Sequence, residues 1–92
     1  MQSINDVASI SVLIKYTHNN QINNDIVPFK VYEQDGSFIA IPYISEEDRT
    51  KMQLPEQIRF KMISNKIVAI TESHREVILS LATEIRLLQM TL

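Results

Sequence analysis

The sequence predicts an α+β domain: an antiparallel meander of about five strands, one short helix, and a long C-terminal helix packed on one sheet face. Three observations carry this. Residues Ser9 to Thr17 alternate apolar and polar side chains; Asp35-Gly36 sits between two alternating runs; and residues His74 to Met90 hold no glycine or proline. The first two have the period of a strand, and the third has the apolar spacing of a helix.

In the first run, Ile10, Val12, Ile14 and Tyr16 point one way, while Ser11, Leu13, Lys15 and Thr17 point the other. Its β-branched residues suit a half-buried pleated surface. The following stretch His18 to Asp25, HNNQINND, interrupts the alternation and reads as a mobile loop. Asparagine favours turns because its side chain bonds nearby backbone and tolerates left-handed conformations.

Val27–Glu33 and Ser37–Ile44 then flank Asp35-Gly36, the site of the only glycine. Asp-Gly suits a two-residue type I′ turn, in which both central residues need positive φ. That turn pairs Gln34 with Ser37, Tyr32 with Ile39, Val31 with Ala40 and Phe29 with Pro42. Phe29, Val31, Phe38 and Ala40 share an apolar face. Lys30, Tyr32, Ile39 and Ile41 share a mixed one.

Ser45-Glu46-Glu47-Asp48 is a helix-start signature, with acids complementing the helix dipole. The short helix runs to about Met52, because Pro55 bars continuation. Capping explains these carboxylates without a bound cation. A second hairpin, Gln57–Ile63 and Lys66–Thr71, turns at Ser64-Asn65. It places Phe60 and Met62 beside Ala69 and Ile67, and Arg59 and Lys61 beside Ile70 and Val68. Ser73-His74-Arg75-Glu76 opens the long helix as a capping box. Its apolar stripe is Val77, Ile78, Leu81, Ala82, Ile85, Leu88 and Leu92.

Residues 1–92 form one domain on this reading, since a chain of 92 residues has room for one core. The absence of cysteine excludes disulfides and thiolate metal sites. MQSINDVAS lacks the positive start and apolar run of a signal peptide, and no stretch is long enough to span a bilayer. The expectation is a soluble cytoplasmic protein without membrane attachment.

Phosphate-cradling loops need several glycines, and one glycine in a hairpin turn excludes them. His18 and His74 have no metal-ligand spacing. Glu33 and Asp35 stand at an exposed hairpin tip, and no GxSxG elbow presents a nucleophile. The sequence thus nominates no catalytic, cofactor-binding or metal-ligating residue and no cofactor. A net charge of −2 disfavours nucleic acid, which is normally met by a basic excess. The alternative nucleic-acid surface would be Lys30, Tyr32, Arg59 and Lys61. A small-ligand binder or minor enzyme, with a pocket near Tyr16, His18 or Tyr43 between sheet and helix or at a dimer interface, is the other alternative.

Surplus apolar surface is the remaining signal. Leu79, Leu87 and Met90 project from the long helix away from its main stripe, as a seam through Thr83. Ile39, Ile41 and Tyr43, with Leu13, Val68 and Ile70, lie on the mixed sheet face. Together they predict a protein–protein contact domain, a homodimer or one with a protein partner.

Overall fold

A computed structural model describes residues 5–64, 66–69 and 74–90. Five strands form one antiparallel sheet in sequential order: β1 (Asn5–His18), β2 (Gln21–Gln34), β3 (Ser37–Pro42), β4 (Ile58–Ile63) and β5 (Lys66–Ala69). Helix α1 (Glu46–Lys51) joins β3 to β4, and α2 (Arg75–Met90) follows β5. The α+β meander is as the sequence predicts. Helix α2 packs against both β1 and β4, strands three places apart, so the sheet curls around it.

The β2–β3 hairpin has the predicted register, from Gln34 opposite Ser37 to Phe29 opposite Pro42. Asp35 and Gly36 carry φ of 54° and 80°, as a type I′ turn requires. Phe29, Val31, Phe38 and Ala40 enter the core with Ile10, Val12, Ile14, Ile58 and Phe60. The Phe38 and Phe60 rings stack at 5.5 Å. Ile78, Leu81, Ala82 and Ile85 close that core from α2, and all four are fully buried. Leu88 departs from the expected stripe: it is 39% exposed, so the covered face ends at Ile85. Leu92, Ser73 and Ile70 lie outside the described residues.

The expected loop His18–Asp25 is instead a tight turn followed by the first five pairs of a ladder. Asn19 and Asn20 both adopt left-handed φ, 54° and 62°, so two residues suffice to reverse the chain. Pairing then runs without a break from His18 opposite Gln21 back to Ala8 opposite Val31. At ~3.3 Å per residue, these strands account for the molecule's 44 Å long axis.

Pro28 sets where β3 stops. Its carbonyl accepts the Tyr43 N–H at 2.8 Å, so its backbone faces β3. Proline has no N–H to return, and the β2–β3 ladder ends there rather than running on to Ile44. Beyond Pro28 the hairpin is a two-stranded ribbon.

The β4–β5 register also differs from expectation. Met62 faces Ile67 as predicted, but a bulge makes Val68 the extra residue and sets Ala69 opposite Lys61 instead of Phe60. Bulges concentrate at sheet edges, and β5 is an edge strand. Helix α1 begins as predicted: the Asp48 N–H donates to Ser45 Oγ at 3.1 Å. It ends in a Schellman pattern, with Gln53 N–H on the Thr50 carbonyl and Leu54 N–H on the Arg49 carbonyl. That turn delivers Leu54 into the core.

Candidate functional site

Strand periodicity assigns every second residue of the sheet to the side away from α2. The register stacks these outer residues in rows. From the ribbon tip they are Thr17 with Ile22, Lys15 with Asn24, Leu13 with Ile26, and Ser11 with Pro28. Next come Ser9, Lys30 and Ile41, and then Tyr32, Ile39 and Arg59. Tyr43 joins the Pro28 row through its backbone bond.

This face is apolar in its middle and at its tip. Leu13, Ile22, Ile26 and Tyr43 are each 65–70% exposed, and Ile41 is partly so. Ile39 differs from its neighbours: it is only 9% exposed, set between its cross-strand partners Tyr32 and Arg59.

The face is also cationic. Lys15, Lys30, Arg59 and Lys61 occupy outer positions, nearly half of the nine basic residues in a chain of net charge −2. The register brings one acid to its far end, Asp6 opposite Tyr32. From Ser9 onward, no acidic residue takes an outer position on β1 to β4. Among the described residues no carboxylate lies within ion-pair distance of these four cations. Lys30 Nζ sits 4.8 Å from the centre of the Tyr43 ring, a cation–π contact.

Of the sequence-predicted interface, the structure gathers Ile39, Ile41 and Tyr43 on this face. Leu79 and Leu87 are exposed, but on α2, which covers the opposite side of the sheet. The two groups do not form one surface. The side chain of Met90 lies outside the described residues. Sequence reasoning missed Ile22 and Ile26, because both fall in or beside the stretch read as a loop. Their signal was the alternation Ile22, Asn24, Ile26, which becomes visible once Asn19-Asn20 is taken as a two-residue turn.

A second feature lies on the inner side. A half-open groove of about 720 Å³ runs between the end of β1, the exit of α1 and the start of α2. Ile14, Tyr16, Leu54, His74, Glu76 and Val77 are among its walls. Tyr16 donates its hydroxyl proton to Asp25 across the ribbon. That bond, with lesser help from desolvation and from the charges of Asp25 and Asp48, raises the phenol above its ordinary value. His18 and Tyr43 are not part of the groove. No group of three or more His, Cys or acidic residues able to hold a metal occurs among the described residues. No helix among them is long and apolar enough to cross a membrane.

No protein-family model, no curated protein and no solved structure matches this chain.

Proposed function

We propose that this chain is a non-enzymatic, cytoplasmic contact module that works by docking protein onto the outer face of its sheet. The observation that carries the reading is the row of exposed apolar side chains Leu13, Ile22, Ile26, Ile41 and Tyr43 on one continuous face. Large apolar side chains gathered on one side are costly to leave wet, and such patches mark association sites. The core beneath is complete without them, so folding of one copy does not account for their placement. Lack of cysteine suits a reducing compartment.

The test is site-specific photo-crosslinking in lysate of the source cells. A photoreactive residue at Ile26 is compared with one at Thr50, which is exposed on α1. The reading expects discrete products from position 26 that are absent from position 50. Identical product patterns from both positions would remove it.

A small-ligand site is the second reading, carried by the groove beside Tyr16, His74 and Glu76. It expects thermal stabilisation by some member of a polar fragment set, abolished in Tyr16→Phe or His74→Ala.

A further inference from the structure

We infer that the outer face is built for a protein segment that presents acidic and apolar side chains together, and not for a second copy of itself. The inference rests on the contact-module reading and names the partner's chemistry. Its basis is the distribution of charge. The chain as a whole is acidic, yet Lys15, Lys30, Arg59 and Lys61 share one face that is almost free of acids. Lys15 lies between the Ile22 row and the Leu13–Ile26 row, and Lys30 lies beside Tyr43 and Ile41. Cations are thus interleaved with the apolar patch rather than segregated from it.

Two copies meeting through this face would press cations against cations, with no carboxylate at an outer position of β1 to β4 from Ser9 onward to separate them. Like charges brought together at a partly dried interface suppress that pairing. A segment with carboxylates alongside apolar groups satisfies both components. Its acids meet lysines that have no ion-pair partner among the described residues, and its apolar groups cover Leu13, Ile26 and Tyr43. Nucleic acid fits less well. Base stacking draws on several open aromatic rings, and this face offers one exposed ring, Tyr43, with Lys30 beside it, and one half-buried ring, Tyr32. Exposed isoleucines offer phosphate nothing.

The experiment is a fluorescence-anisotropy titration of the intact chain with four labelled probes. They are a peptide of alternating Glu and Leu, its Lys/Leu counterpart, a Glu/Ser peptide of equal charge, and oligo-thymidine. The Glu/Leu peptide should bind at least about tenfold tighter than the other three, and salt should weaken it. Lys15→Glu with Lys30→Glu should cost about tenfold or more, while Lys15→Arg with Lys30→Arg should not. Both positions are exposed, so circular dichroism and thermal unfolding should report an intact fold for either variant.

Equal binding of the Lys/Leu peptide, or tighter binding of oligo-thymidine, overturns the inference. So does a wild-type dimer whose formation occludes Ile26. These outcomes are separable from failure of the parent reading. Products specific to position 26 whose partner segment is neutral or basic would sink the acidic-partner inference and leave a contact module standing. Absence of any product specific to position 26 would remove both.

Discussion

The two halves of β2 use the same alternation to opposite ends. In the half nearest β3, the odd-numbered residues of β2, Val27, Phe29 and Val31, are fully buried. In the ribbon half, the odd-numbered residues Gln21, Asn23 and Asp25 are polar, and the even-numbered Ile22 and Ile26 face outward. Strand pairing never slips between them, so the inversion lies in side-chain chemistry alone. A strand must send its apolar residues inward only where a core exists to receive them. From Asp25 to the tip, past the last residue of β2 that reaches the core, its inner positions are polar and its apolar residues turn outward. The first half is committed to stability. The second is available for contact.

Truncating a buried aromatic tests that contrast most severely. Phe60→Ala removes a ring that stacks on Phe38 in the closed core and should cost about 3–5 kcal/mol in denaturant unfolding. Ile26→Ala on the ribbon should stay within about 0.5 kcal/mol. A comparable loss at both positions would mean that the ribbon's outer face also supports the fold.

The tip turn comes next. Asn20→Ala places a side chain less tolerant of left-handed φ at 62° and should destabilise by roughly 1 kcal/mol. Its amide-exchange consequences should concentrate in residues 14–25, leaving the β3–β4 region protected. Uniform loss of protection would show that the ribbon is not a separable part. A gain of similar size is expected at Gln53→Gly, since Gln53 closes α1 at φ 59° and glycine adopts that conformation without strain. Thermal unfolding should rise; no change would mean that the α1 exit contributes nothing to the groove's rigidity.

The smallest effect is electrostatic. The Tyr16–Asp25 bond favours the neutral phenol, so the folded value lies above the unfolded one of about 10. Its contribution is intact below that pH. It is lost as pH rises from the unfolded value through the folded one, because the unfolded chain releases its proton first. Tyrosinate absorbance should show a late-titrating component that moves down in Asp25→Asn and vanishes in Tyr16→Phe. An unaltered titration in Asp25→Asn would mean that the bond does not link the two strands in solution.

Much of this fold was legible in the linear chain, and for local reasons. Asp35-Gly36 demands positive φ at two adjacent positions, which sets both the turn and the register of every pair behind it. Ser45 followed by three acids marks a helix start, and the apolar spacing of Ile78, Leu81, Ala82 and Ile85 marks the face that α2 buries. The candidate surface was legible only in part. Ile41 and Tyr43 stand out from their alternation, but Ile22 and Ile26 were hidden, because Asn-Asn is a weaker turn signal than Asp-Gly and seven polar residues in eight resemble a loop.

What the sequence determined by itself is whatever depends on neighbours within a few bonds: turns, caps, periodicity and one hairpin's register. Tertiary structure decided what depends on distant chain segments meeting. It placed Leu79 and Leu87 on the opposite layer from Ile41 and Tyr43, sheltered Ile39 between Tyr32 and Arg59, and gathered four cations onto one side of an acidic protein. Net charge is a sum over the chain and carries no direction. The sheet supplies one, because pairing strands in register turns residues far apart in sequence into a single surface.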